Sequence, residues 1–310
     1  MTSVAPTTVL VFLDPEFEDG RIADASQPQL MATDLGATRG DGVFESLLAV
    51  EGRARKLPAH LNRLATSARA LDLDIPEQEA WRRAVATAIK EYRFINPAAS
   101  PEEDEVVVKL LVTRGTEGAK APTCWVQASP PPAAGRRQRE TGIDVILLDR
   151  GFDSEAGERA PWLLLGAKTL SYAVNMAALR YAHKEGADDV IFTSSDGRVL
   201  EGPTSTVLLA QVDRFDDGHT VKRLVTPQLD SGILPGTSQG ALFAAAQAAG
   251  WELGYGPLVP EDLFNADAVW LISSIRLIAP VNHIDGREIG APAVRKQLTA
   301  ELNELFAGID

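Results

Sequence analysis

The chain has 310 residues, 45% hydrophobic and 24% charged, enough for one large or two medium domains with a substantial core. A net charge of -13 excludes the basic field that a nucleic-acid surface needs, and the single cysteine, Cys124, excludes an intramolecular disulfide framework. No apolar run reaches the roughly 18 residues of a membrane span, and the opening Met1-Thr2-Ser3-Val4 has no basic leader. The expectation is a cytoplasmic protein acting on a small molecule, with neither nucleic acid nor membrane as partner.

Residues 9–13 read as a first strand and residues 22–31 as a polar loop. A glycine-rich turn at 38–42 enters a strand that runs to Val50, with a hairpin at Glu51-Gly52. From 58 to 72, Leu61, Leu64, Ala65, Ala68 and Leu71 form one face of an amphipathic helix that carries His60 and Arg63 on its first turns. A second helix is predicted at about 77–92. An acidic, proline-containing loop at 96–104 leads to a buried-looking strand at 106–112, a turn at 113–118 and a returning strand at 123–128. Pro130-Pro131-Pro132 followed by small and charged residues reads as a linker, which divides the chain into domains 1–129 and 141–310 joined by 130–140. In the second half strands are expected near 143–148, 190–193, 205–211, 222–226 and 268–272, and helices near 171–184, 237–249 and 293–306. Their irregular interleaving points to an α+β domain rather than a doubly wound sheet.

Chemistry concentrates around Lys168. It follows an apolar segment, 162–165, and precedes a helix with Leu170, Val174, Ala177, Ala178 and Tyr181 on one face. An amine held against apolar walls loses solvation as an ammonium, so its pKa falls and it can form a Schiff base. Glu201 follows a strand at 190–192 and a Ser195-Asp196-Gly197 turn, and a glutamate there can keep a pyridine nitrogen protonated. Lysine and glutamate together are what pyridoxal phosphate requires of a protein, although Lys168 alone also reads as a solvated lysine at a helix start. A phosphate needs helix N-terminal N–H groups, hydroxyls and an arginine. Gly236, Thr237 and Ser238 open a helix, Ser273, Ser274 and Ile275 end a buried strand, and Arg63 is the natural cation; Thr237 and Ser238 also read as plain caps. Gly236-Thr237-Ser238-Gln239-Gly240 matches the nucleophile elbow of serine hydrolases, but a turn-rich loop stands where that motif needs a strand. His60, His183, His219 and His283 are scattered singly, without metal-ligand spacing.

Together these stretches resemble the fold-type IV pyridoxal-phosphate enzymes, the class IV aminotransferases, from about Asp34 to the end. Gly40-Asp41-Gly42-Val43-Phe44-Glu45 is similar to the family's early glycine motif, and His60-Leu61-Asn62-Arg63-Leu64 to the helix whose arginine grips the cofactor phosphate. Lys168 falls at the cofactor lysine, and Glu201-Gly202 at the glutamate on the pyridine nitrogen. Leu234-Pro235-Gly236-Thr237-Ser238 and Ser273-Ser274-Ile275 fall at the phosphate cup. Thr204 and Ser205 are expected as cofactor neighbours and Tyr172 at the substrate, and a substrate with two carboxylates makes Arg39 and Arg276 its expected partners. The resemblance implies a small N-terminal α+β domain, a larger barrel-like C-terminal one, the cofactor in the cleft between them, and a homodimer. Within the family, the Arg-x-His carboxylate trap of D-amino acid aminotransferases is missing at 117–121, and Pro203-Thr204-Ser205-Thr206 replaces the usual Ala-Gly-x-Asn of branched-chain enzymes. The chain most resembles the 4-amino-4-deoxychorismate lyases of folate biosynthesis, which release pyruvate and 4-aminobenzoate. A D-amino acid or branched-chain aminotransferase is the alternative, a bifunctional enzyme is compatible with both, and a serine hydrolase using Ser238 is the remote reading.

Overall fold

The structure, a computed structural model, describes residues 7–98, 100 and 104–309; Met1–Val4 and part of the acidic loop at 96–104 lie outside the described residues. The chain forms two compact units, Met1–Pro132 with Ala167–Tyr172, and Ala133–Gly166 with Ala173–Asp310. The lysine segment, counted by sequence with the second domain, packs with the first unit.

Among the described residues, the first unit contains β1 (Val9–Phe12), β2 (Arg21–Ala23), α1 (Leu35–Arg39), β3 (Gly42–Val50), β4 (Arg53–Ala54), α2 (Leu57–Ala70), α3 (Gln78–Ile95), β5 (Glu105–Thr113) and β6 (Thr123–Ser129). The strands form one antiparallel sheet in the order β2-β1-β6-β5-β3-β4. The β3–β4 turn uses Glu51 and Gly52 at φ 49° and 80°, the paired left-handed conformation that matches the twist of a tight hairpin. Leu61, Leu64 and Ala68 of α2 and Trp81, Ala84, Val85, Ala88 and Ile89 of α3 are buried at helical spacing. They pack on Val43, Leu47 and Ala49 of β3, which alternate inward along the strand. That alternation places Glu45 on the same inward face, where it is fully buried.

Ala167–Tyr172 lies along the start of β3. The Lys168 carbonyl accepts from Phe44 N at 3.0 Å, and Leu170 N donates to the Gly42 carbonyl at 2.8 Å. Gly42 makes this approach possible, since a Cβ there would lie 2.7 Å from Leu170 Cδ1 as well as 2.2 Å from the Val112 carbonyl oxygen of β5.

Among its described residues the second unit comprises α4 (Ala133–Thr141), β7 (Ile143–Asp149), α5 (Ala156–Arg159), α6 (Ala173–Lys184), β8 (Asp189–Thr193), β9 (Thr206–Arg214), β10 (Thr220–Pro227), α7 (Thr237–Ala248), β11 (Glu252–Gly256), α8 (Pro260–Phe264), β12 (Ala268–Ser273), β13 (Leu277–Ile284), β14 (Arg287–Glu288) and α9 (Pro292–Ala307). They build a mixed sheet in the order β11-β10-β9-β12-β13-β7-β8, with β14 on β13. α7 and α9 bury Leu242, Phe243, Leu298, Leu302 and Phe306 with Leu208, Leu224 and Trp270 of the sheet. The α+β class expected from the irregular rhythm is the one that forms.

Three local readings are corrected. Residues 133–141 form α4 rather than a flexible linker, because good helix formers follow the prolines and Gly142, at φ 77°, ends the helix. The segment 162–165 is not a buried wall: Pro161–Leu163 is a 3-10 turn and Trp162 is 75% exposed. In α6 the buried residues are Ala178 and Ala182, while Val174 and Tyr181 face outward, so small side chains mark the packed face. Among the described residues no helix is long and apolar enough to cross a membrane.

Candidate active site

In the first unit Lys168 is fixed from both sides of its backbone. Its N–H donates to Ser67 Oγ of α2 at 3.0 Å, and its carbonyl pairs with β3. The side chain ends between two aromatic rings rather than aliphatic walls. Nζ lies 4.5 Å from the Phe44 ring centroid and 3.2 Å from the Tyr172 hydroxyl, and the two rings meet edge to face at 5.1 Å. Tyr172, just ahead of α6, is a hydrogen-bonding neighbour of the amine. Arg39 stands exposed at the end of α1, which is capped by the buried Asp34. Gly40, at φ 69°, ends that helix, and its carbonyl accepts from Ser171 Oγ at 3.3 Å.

The same unit holds a buried charged network. Arg63 grips Glu45 with two arms, Nε to Oε1 at 2.6 Å and a terminal nitrogen to Oε2 at 2.8 Å. His60 Nδ1 lies 2.7 Å from Glu45 Oε2, with both side chains fully buried. Burial by itself would raise the Glu45 carboxyl, but the Arg63 charge and the Arg63 and His60 hydrogen bonds outweigh it and hold the pKa at about 2. His60 is pushed down, mainly by burial and against the pull of Glu45, which keeps the imidazole neutral with its proton on Nδ1. Glu45 was not singled out by sequence, although its inward position between Val43 and Leu47 was readable from the strand alternation. A carboxylate there needs partners, and His60 and Arg63, three apart on α2, share a helix face that supplies them.

In the second unit Glu201 Oε2 accepts from Leu234 N at 3.1 Å. Gly202 makes its turn tight: a Cβ there would lie 2.4 Å from Ser205 Oγ. Ser205 is buried and Thr204 exposed. Asn175 ties α6 to the same turn, donating to the Pro203 carbonyl at 2.7 Å. At the start of α7, Thr237 Oγ1 and Ser238 Oγ each lie 3.0 Å from Ser274 Oγ. The N-cap is Gly236, which brings no side chain to close the helix's first N–H groups. Hydroxyls gathered at such a helix start suit an anion. Arg276, a residue expected at the substrate, is anchored within the second unit. Its guanidinium meets Asp189 at 2.7 Å and Ser205 Oγ at 3.4 Å, and its buried Nε has no hydrogen-bond partner among the described residues.

The hydrolase reading loses its geometry. β10 stops at Pro227, and a 3-10 turn, Leu229–Ser231, followed by loop precedes α7, so no strand runs into Ser238. His283 Nδ1 is engaged by Asp144 Oδ1 at 2.7 Å. Among the described residues no three His, Cys, Asp or Glu side chains are grouped so as to hold a metal ion.

The sequence profile of amino-transferase class IV matches residues 42–284. The chain belongs to that family. It is 48% identical over 271 residues to a bifunctional aminodeoxychorismate lyase / D-amino acid transaminase of Mycobacterium tuberculosis, covering 87% of this chain and 91% of the relative. Among solved structures it matches an aminotransferase of Mycobacterium tuberculosis in its PLP-bound form at a TM-score of 0.84 and 44% identity, covering 97% of this chain and 98% of that one. A fold IV-transaminase from Curtobacterium pusillum matches at a TM-score of 0.85 and 42% identity, with 97% of each chain covered. The two-unit α+β architecture is thus the fold-type IV arrangement, and Lys168, Glu201 and the α7 hydroxyls all fall inside the matched family segment.

Proposed function

We propose that this class IV enzyme is a pyridoxal-phosphate-dependent 4-amino-4-deoxychorismate lyase that also transaminates D-amino acids. The observation that carries the reading is the 48% identity, over 91% of its length, to a relative with that pair of activities. The residues fit the cofactor: the Thr237–Ser238–Ser274 hydroxyls at a glycine-capped helix start suit its phosphate, and Glu201 suits its pyridine nitrogen. When bound, the cofactor supplies the electron sink. The chain supplies the rest. Lys168 would hold the cofactor, and its amine would take the proton from the reacting carbon of the substrate. Tyr172, within 3.2 Å of Nζ, orients the amine and shares its proton. Glu201 would keep the pyridine nitrogen protonated, and Arg63, held rigid by Glu45, would meet the phosphate. Thr204, Ser205 and Ile275 complete the cofactor's surroundings. The substrate carries two carboxylates, and the exposed Arg39 is the cation assigned to one of them. Arg276, which also pairs with Asp189, is the cation assigned to the other. The working form is a cytoplasmic homodimer.

The test separates the two activities. Purified enzyme with 4-amino-4-deoxychorismate and no oxo-acid should yield 4-aminobenzoate and pyruvate in equal amounts, and Lys168→Ala should abolish both. D-alanine should react only slowly, and should need an oxo-acid to turn over. Rapid transamination without any 4-aminobenzoate would make the enzyme a transaminase alone.

A further inference from the structure

The loop that carries Ser274 is gripped on its carbonyl side by a residue outside the expected site. Arg139 of α4 donates Nε to the Arg276 carbonyl and a terminal nitrogen to the Ile275 carbonyl, each at 2.8 Å. Both acceptors belong to the turn between β12 and β13. The turn ends at Leu277 with φ 63°, a left-handed conformation that a branched side chain adopts only where its surroundings impose it. The same turn is anchored by the Arg276 side chain, whose guanidinium reaches Asp189 of β8 at 2.7 Å and Gln138 of α4 at 3.5 Å. Within it, Ser273 Oγ accepts from Arg276 N at 3.1 Å. One guanidinium fork thus spans two successive carbonyls, a geometry that a lysine cannot reproduce.

We propose that Arg139 is a positioning residue for the phosphate cup, setting Ser274 where its hydroxyl joins Thr237 and Ser238. The inference rests on the reading of that cup as the cofactor phosphate site. Ser274 is the central hydroxyl of the three, 3.0 Å from each of the others. A shift of its backbone would therefore separate the cluster, and donors preorganised for an anion lose much of their value when misplaced. α4 begins directly after the proline run at 130–132, so the helix read from sequence as a linker is the element that delivers this arm.

The experiment is a double-mutant cycle on the affinity of the apo chain for pyridoxal phosphate, read by absorbance and by protein fluorescence. Arg139→Ala and Ser274→Ala should each weaken binding about tenfold, the scale of one charge-assisted contact. The double variant should be little worse than either alone, because both act through one hydroxyl. Arg139→Lys should recover only part of the loss, and the thermal midpoint of apo Arg139→Ala should stay within about 2 °C of the parent. Additive losses, or unchanged affinity in Arg139→Ala beside a clear loss in Ser274→Ala, would overturn the positioning role. Unchanged affinity in both Ser274→Ala and Thr237→Ala would instead remove the cup on which the inference rests.

Discussion

Glu45→Gln is the perturbation that probes the buried network most directly. In the folded chain the carboxyl is held at about 2 against an ordinary 4.5. At about 1.4 kcal/mol per unit, that difference corresponds to about 3 kcal/mol of stability at neutral pH. Glutamine keeps an oxygen for His60 Nδ1–H but turns an NH2 group toward the Arg63 fork, so donor meets donor and a largely buried guanidinium loses its counter-charge. Breaking a buried pair from one side costs about 3–5 kcal/mol, and a loss in that range is expected at pH 7. The sign with pH follows from the direction of the shift. A depressed carboxyl pKa contributes stability above about 4.5 that is lost as pH falls toward 2, so the gap between parent and variant should close in acid. His60 acts in the same sense at higher pH. Its pKa is pushed down by burial from an ordinary 6.5, so stability falls as pH drops below that value, and His60→Gln should flatten this upper part of the profile. Urea unfolding of parent and variants between pH 7 and pH 3 measures all of this. A loss below about 1 kcal/mol at pH 7, or a gap that does not change with pH, would refute the assignment of Glu45 as the charged centre of the network.

Gly42→Ala should destabilise the chain by about 1–3 kcal/mol and lower turnover, because a Cβ would lie 2.2 Å from the Val112 carbonyl oxygen, beside the segment that carries Lys168. Thermal unfolding and a cofactor titration check both effects, and a variant unchanged in each would show that the strand edge has room to relax. Cys124 is buried, and burial pushes its thiol up to about 12. It should stay unreactive toward a disulfide reagent at pH 8 until urea is added, whereas rapid labelling of the native chain would contradict that burial.

The sequence revealed elements wherever a local period carried the information. α2 and α3 stand out by their apolar spacing and the β3–β4 hairpin by Glu51-Gly52, while the residues proposed to hold the cofactor rest on a family pattern. Two of the corrected readings share a physical cause: residue type does not by itself report burial. Trp162 is apolar and exposed, whereas the packed face of α6 is alanine, which carries little hydrophobic signal. The proline run suggested flexibility, yet the residues after it had the composition of a helix, and α4 became an arm of the structure. Arg276 shows a deeper limit. Its pairing with Asp189 is invisible in the sequence, because no local pattern joins β8 to the β12–β13 turn. Glu45 is different. β3 alternates Val43, Glu45, Leu47 and Ala49 on one face, so an acid pointing into the core was already implied, and a buried carboxylate demands cations. The neighbouring helix offers His60 and Arg63 on the matching face. A polar residue on the apolar side of a regular element is thus readable as half of a long-range pair, even where the pairing register is not.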